Sequence, residues 1–360
     1  MNSFAAKTQA YLSIDPRRAG ARNLQTTVVS LGEGESRIPA TVNQGEPGNA
    51  WVCSPHTTYV RYAIEELRRF GHPWISKPLQ ALCSGLGRYL WRTRVDDAVA
   101  VNNWLLSTNI YPVLDIGALR GWLTEAADRW PGHAIWFRSL NNRYAADWLK
   151  ALVDAGCELI PSRQVYLYDR IDRDARHPRD LHRDFRLLDG TSLRPSGAAE
   201  WSSRDFDRGA KLYGLLYLEK YSKLNPDYTS EFLRAWHEAG LLRLVGWRDD
   251  AQELQAVLGT FEINDTLTAP IVGYNTSLPQ ELGLYRLLMA TVYQHAAQTG
   301  LRINLSAGAA DFKRSRGGIA AMEYSAVFAR HLPPRRRRAL RVLGALTRHI
   351  GEPLMKRFEL

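Results

Sequence analysis

The stretch Leu267-Thr-Ala-Pro-Ile-Val-Gly-Tyr-Asn275, followed by Thr-Ser-Leu-Pro-Gln280-Glu-Leu-Gly283-Leu-Tyr285, decides how the chain is read. Its pattern predicts a β-strand over Leu267–Asn275, a Pro-containing turn, an amphipathic helix and a second strand over Leu301–Leu305. The helix rests on Leu284, Leu287, Leu288 and Val292, spaced to share one face, with Gly300 as a stop. Beyond the second strand comes the polar run Ser306-Ala-Gly-Ala-Ala-Asp-Phe-Lys-Arg-Ser-Arg-Gly-Gly318. A strand that feeds a turn and a helix N-terminus presents unpaired backbone N–H groups to an anion lying over it. That is a phosphate site in outline.

The turn Gln280-Glu-Leu-Gly283-Leu-Tyr285 resembles the pyrophosphate loop of the GNAT superfamily of N-acyltransferases. In that loop Gln or Arg is followed by Gly at the fourth position and by Gly or Ala at the sixth. Gln280 and Gly283 match the pattern, and Tyr285 departs from it. The run Asn304-Leu-Ser-Ala-Gly308 with the nearby Phe312-Lys313 is similar to the Fem-like branch, where a strand ends in a small polar stretch before Tyr or Phe plus Lys. The paired strands Leu254–Ile263 and Leu267–Asn275 fit the hairpin those domains place before the loop. The likeness spans roughly residues 211–322 and leaves open the alternative that Gly308, Gly317 and Gly318 only punctuate turns.

The resemblance implies a donor seated along Val272, Gly273, Tyr274 and Asn275 and over Gln280 and Gly283, with Lys313 and Arg316 meeting a phosphate or carboxylate. A backbone N–H of the strand would stabilise the tetrahedral oxyanion. Candidate proton acceptors are Glu262 and Asp265 on the hairpin, with Tyr285 or Tyr324 as a phenol facing the leaving group. The expected reaction is amide formation from an acyl donor and a small amine acceptor. Acyl-CoA is the first candidate co-substrate and aminoacyl-tRNA the second, with no tightly bound cofactor and no metal. A different class, a nucleic-acid-binding protein with an inactive acyltransferase fold, is suggested by charge alone.

That charge is large. The 360 residues carry 47 Lys and Arg against 37 Asp and Glu, a net +10, which favours phosphate-rich or otherwise anionic partners. Much of the excess lies in Lys313, Arg314, Arg316, Arg335 to Arg338, Arg341 and Arg348. A hydrophobic content of 45% supports a sizeable core and about two domains. The opening residues lack the apolar core of a secretory signal, and Asn102, Asn103 and Asn109 interrupt the most apolar run, so a cytoplasmic protein without membrane insertion is expected. Cys53, Cys83 and Cys157 are too few and too scattered for a disulfide framework or zinc site, and suit buried small apolar positions.

The expected fold class is α+β (mixed α/β), with two GNAT-like units, each a central mixed sheet flanked by helices. The expected divisions are an arm and hairpin over 1–50, a degenerate unit over 51–170, a linker over 171–204, a donor-binding unit over 205–332 and a basic helix over 333–360. Duplication is suggested because a strand (Ala98–Leu106), turn, helix (Ile116–Ala127) and strand (Ala134–Arg138) repeat the order seen from Leu267 onward. An aromatic-rich helix over Phe206–Tyr221 places Tyr213, Tyr217 and Tyr221 on one face, and Thr229 is a favourable N-cap for the next.

Overall fold

A computed structural model describes residues 3–15, 20–69, 73–171 and 178–358. In chain order its helices are α1 (Phe4–Ser13), α2 (Ala63–Arg69), α3 (Pro73–Arg92), α4 (Ile116–Arg129), α5 (Ala146–Asp154), α6 (Arg179–Gly190), α7 (Ser203–Gly214), α8 (Ser230–Glu238), α9 (Leu284–Thr299), α10 (Ala310–Arg314), α11 (Pro334–Leu346) and α12 (Glu352–Phe358). The strands are β1 (Thr27–Leu31), β2 (Ile38–Gln44), β3 (Asp97–Val101), β4 (Ala134–Asn141), β5 (Glu158–Tyr168), β6 (Arg194–Gly197), β7 (Leu242–Arg248), β8 (Leu254–Ile263), β9 (Thr266–Tyr274), β10 (Arg302–Asn304) and β11 (Ile319–Phe328). The chain divides into unit 1, residues 1–22, 164–223 and 227–321, and unit 2, residues 23–163, 224–226 and 322–360.

In unit 2, β1, β2 and β3 pair antiparallel in sequence order. β3 reads Asp-Ala-Val-Ala-Val with every residue buried, which suits a strand covered on both faces, and it runs parallel to β4. Parallel pairing needs a crossover, supplied by α4, whose first turn is capped by the Asp115 carboxylate accepting from Ala118 N at 3.0 Å. β11 then pairs antiparallel with β4. Tyr59, Leu90, Trp136, Val327, Leu340 and Leu343 build part of this unit's core.

Unit 1 follows the same path. β7, β8 and β9 form an antiparallel meander, β9 runs parallel to β10 with α9 as the crossover, and β10 pairs antiparallel with β5. The apolar face expected on α9 is real: Leu287, Leu288 and Val292 are fully buried, packing with Leu258, Leu267, Val272 and Ile303 of the strands and with Leu181 and Phe185 of α6. Each such side chain contributes about 1.5–3 kcal/mol by leaving water. Both units are therefore mixed sheets with helices, and each holds one strand–helix–strand crossover.

The closing strands are exchanged along the chain. β5 follows the crossover of unit 2 in sequence, yet its end closes the sheet of unit 1, while β11 follows the crossover of unit 1 and closes unit 2. The observed units thus differ from the contiguous divisions 51–170 and 205–332, since neither crossover carries its own closing strand. Within the expected 1–50 arm, α1 packs into unit 1, where Tyr11 is buried edge-on against Trp236 at 5.2 Å. Of the 171–204 linker, Asp172 to His177 lie outside the described residues, but the remainder holds α6, whose Leu181, Asp184 and Phe185 are buried. The strand expected over Ala98–Leu106 stops at Val101. Asn102 turns left-handed (φ 55°), its side chain donating to Ile110 O and accepting from Trp104 Nε1.

Candidate functional site

Strands β9 and β10 stay together for three residue pairs, from Arg302↔Thr266 to Asn304↔Thr268. They then diverge, because Leu305 and Ser306 bond to Tyr166 of β5 (Leu305 N to Tyr166 O, 3.0 Å; Tyr166 N to Ser306 O, 3.2 Å). On its other side β9 remains paired with β8 as far as Tyr274. From Ala269 to Tyr274 the β10-facing edge of β9 therefore has no strand partner among the described residues. Exposed or not, such an edge offers backbone N–H and C=O groups to an extended ligand.

The expected donor seat lies along this edge, though its residues do different work. Val272 is buried in the core beneath α9. Gly273 faces the opposite side, where a Cβ would stand 2.4 Å from Tyr213 N and 2.5 Å from Leu212 C, so glycine is needed for α7 to pack against the strand. Asn275 donates from its backbone and side chain to Gln255 and accepts from Ser277, forming a turn that opens the loop. Gln280 to Leu282 make a single 3-10 turn on the surface, and Gly283 is left-handed (φ 61°) at the head of α9. Within this loop the N–H groups of Ser277, Leu278, Leu282 and Gly283 all donate to the loop's own oxygens.

Aromatic rings stand beside the edge. Tyr285 lies 4.9 Å from Phe312 and 6.5 Å from Tyr274, and Tyr217 sits between Tyr213 at 4.8 Å and Tyr221 at 5.9 Å. Burial first, and then the neighbouring phenols of Tyr217, Tyr221, Tyr168 and Tyr274, push the Tyr285 hydroxyl well above its ordinary range. It stays protonated at neutral pH and is a proton donor, not a base.

Lys313 and Arg316 are internal fasteners. Ser306, Gly308 and Ala309 are left-handed, and this tight turn aims three carbonyls at one point. The buried Lys313 ammonium donates to all three, Leu305 O at 2.8 Å, Ser306 O at 3.1 Å and Ala307 O at 2.8 Å, which accounts for its three protons. Arg316 forks onto Asp184 through Nε and Nη2, donates from Nη1 to Phe312 O and Ser315 Oγ, and lies 3.5 Å over the Phe312 ring. As placed, neither offers its charge to a donor, which corrects the role expected for them.

Glu262 and Asp265 stand at the other end of the hairpin. Glu262 pairs with Leu267 and Asp265 precedes β9, so both lie at the turn end, before the open edge begins at Ala269. Glu262 is bound to His295 Nε2 at 2.7 Å, and Asp265 to Arg302 Nη2 at 2.7 Å. Both carboxylates are engaged in these pairs, so neither is placed as a free base for the reaction. Tyr324, the other phenol considered, belongs to unit 2, 3.4 Å from Glu352. The thiols of Cys53 and Cys157 are both pushed up to about 12 by burial, which removes them as nucleophiles. Among the described residues no group of His, Cys, Asp or Glu is placed to hold a metal, and no helix is long and apolar enough to cross a membrane.

Two residues escaped the sequence reading. Asp184 of α6 has no exposure and accepts from both Arg316 and Arg286, the latter at 2.7 Å. Arg286 uses only its Nε there and its side chain is 40% exposed, so it presents a cation in the first turn of α9. Its position, three residues after Gly283, was the available signal.

Residues 201–314 match the family of acetyltransferase (GNAT) domains. This chain contains a GNAT domain. The matched span includes the meander, the loop, the crossover helix and the fastened corner. No curated protein matches the chain. Among solved structures, the C-terminal domain (DUF2156) of a putative lysylphosphatidylglycerol synthetase from Agrobacterium fabrum is similar at 12% identity and TM-score 0.56, covering 95% of this chain and 96% of that one. L-PGS from Bacillus licheniformis is similar at 12% identity and TM-score 0.47 (74% and 96% covered), and FemX at 11% and 0.46 (59% and 77%). The first of these shares the fold over nearly the whole chain, so the resemblance is wider than the GNAT domain alone.

Proposed function

We propose that unit 1 transfers an acyl group, held as an ester or thioester at the open edge of β9, to an amine, forming an amide. The observation that carries this reading is the divergence of β9 from β10 inside a GNAT domain, with the loop and α9 at its head. In the reaction the amine nitrogen attacks the acyl carbon, and a backbone N–H of the edge stabilises the oxyanion. The bond from the acyl carbon to the leaving oxygen or sulfur then breaks. The protonated Tyr285 phenol is the group we assign to hand that leaving atom a proton. With Glu262 and Asp265 held in ion pairs, the amine gives its proton to water, and water returns a proton to the Tyr285 phenolate, restoring the phenol.

An aminoacyl ester, as on the 3′ end of charged tRNA, fits this loop better than acyl-CoA. Four loop N–H groups already serve the loop, Glu281 exposes a carboxylate there, and Tyr285 fills the position where a small residue lets pyrophosphate approach. The Agrobacterium fabrum domain is called a putative lysylphosphatidylglycerol synthetase, and a lysyl group is an aminoacyl group. Acyl-CoA remains the second reading because Arg286 and the first turn of α9 together suit a phosphate.

The test offers purified protein a charged-tRNA pool and an acyl-CoA pool in turn, each with a mixture of small amines, and reads amide products by mass spectrometry. Product from charged tRNA alone is expected. Product from acyl-CoA alone would transfer the donor role to the second reading, and no amide from either pool would sink acyl transfer itself.

A further inference from the structure

Unit 2 repeats the geometry of unit 1 at its own crossover, and there a buried guanidinium shares its one nearby carboxylate with a second guanidinium. β3 and β4 pair up to Val101↔Phe137, after which the β3 chain leaves at the left-handed Asn102. The next residues of β4 are Arg138 and Ser139, and Ser139 is also left-handed (φ 67°), as is Leu105 (φ 58°). Three non-glycine residues in this conformation close to one point form a reservoir of strain of the sort that gathers at binding sites.

Arg138 is 9% exposed. Its Nη1 donates to Val52 O and to Asn103 Oδ1 at 3.0 Å, and Asn103 is in turn held by Thr41 Oγ1 at 2.7 Å. Nε and Nη2 make no hydrogen bond among the described residues, and neither is wholly sealed from solvent. Those two N–H groups form one side of the guanidinium fork, the side that meets a carboxylate or phosphate in a two-bond grip. A second guanidinium is close by. Arg138 and Arg163 lie 5.0 and 4.8 Å from the Trp51 ring, and Arg163 is engaged by Glu323 at 2.8 and 3.3 Å. Glu323 is the one carboxylate paired with either arginine among the described residues, so two guanidinia share one counter-charge. Burial first, then Arg163, draws the Arg138 guanidinium down to about 10, which still leaves it charged at neutral pH. With one carboxylate between two guanidinia, a further anion would complete the charge balance of this mostly buried cation.

We propose that unit 2 binds a small ligand through an oxyanion group, carboxylate or phosphate, gripped by the Nε and Nη2 edge of Arg138 with Arg163 and Trp51 at its side. The site stands apart from the donor reading, because every residue in it belongs to unit 2.

Isothermal titration of the full chain with sodium acetate and with sodium phosphate, at constant ionic strength in chloride buffer free of other oxyanions, tests this. The expected result is saturable binding of one ion per chain, and whichever ion binds more tightly names the group. Arg138→Met should lose at least tenfold in affinity. Glu323→Gln should gain several-fold, because it removes the competing negative charge. The opposed signs separate a ligand site from fold damage, and if Arg138→Met fails to fold, Glu323→Gln alone decides. Heats that do not saturate for either ion, or an affinity that Glu323→Gln leaves unchanged or weakens, would overturn the proposal.

Discussion

Asp184 carries more of unit 1 than its place in an expected linker suggested. With no exposure, it joins Arg316 of the fastened corner to Arg286 of α9, so removing its charge leaves one buried and one half-exposed guanidinium without their shared partner. Asp184→Asn should destabilise unit 1 by roughly 3–5 kcal/mol, the range for breaking a buried ion pair at one end; urea unfolding of wild type and variant measures it. Glu262 gives a pH signature. Its carboxyl is held below the usual range, first by the hydrogen bond from His295, so the stability it contributes is present above its unfolded value of about 4.3 and is lost as pH falls through the folded one. Glu262→Gln should therefore flatten the acid limb of a melting-temperature profile while leaving acyl transfer intact. A transfer rate that collapses in this variant would restore Glu262 as a base. Neither role was readable from residue type: a lysine, arginine or glutamate in sequence has no partners, and Lys313 found its three only because Ser306 and Ala309 turn left-handed.

At the scale of elements the decisive stretch was legible. The hairpin, the turn, α9 and the short β10 follow from apolar spacing, and Gly283 was readable because a left-handed helix head favours glycine. The use of Gly273 was not, since it depends on how closely α7 approaches. Gly273→Ala would drive a methyl into the Leu212–Tyr213 backbone and should cost about 1–3 kcal/mol, the range for overpacking, while pushing Tyr213 and Tyr217 out of place. Gly283→Val makes the contrasting case. Its Cβ meets only the mobile end of Leu187, at 3.0 Å, but the left-handed backbone resists it by roughly 1–2 kcal/mol. Donor affinity should fall while a cooperative melt survives, and unchanged affinity would remove the loop from donor binding.

Over the whole molecule, two GNAT-like units were legible from the repeated strand–helix–strand order, whereas their boundaries were not. Exchange of β5 and β11 between the units is a long-range choice of partner, and nothing local in either strand encodes it. The basic tail folds as α11, where Arg335, Arg337 and Arg338 are exposed while Arg336 is fastened to Asp97 and to Gly132 O. Arg335, Arg337 and Arg338 changed together to Gln should spare the fold. If these side chains meet tRNA phosphates, the slope of log affinity against log salt should flatten by as much as roughly 2–3. An unchanged slope would leave tRNA, if it binds, with other contacts.

The most direct measurement is hydrogen–deuterium exchange of the full chain with and without a stable 3′-amide analogue of aminoacyl-adenosine. If the open edge of β9 seats the donor, amides from Ala269 to Arg286 should gain protection on binding, and Tyr285→Ala should weaken that gain. Saturating analogue that leaves this stretch unprotected, or that protects other segments alone, would contradict the assignment of the donor site to the edge of β9.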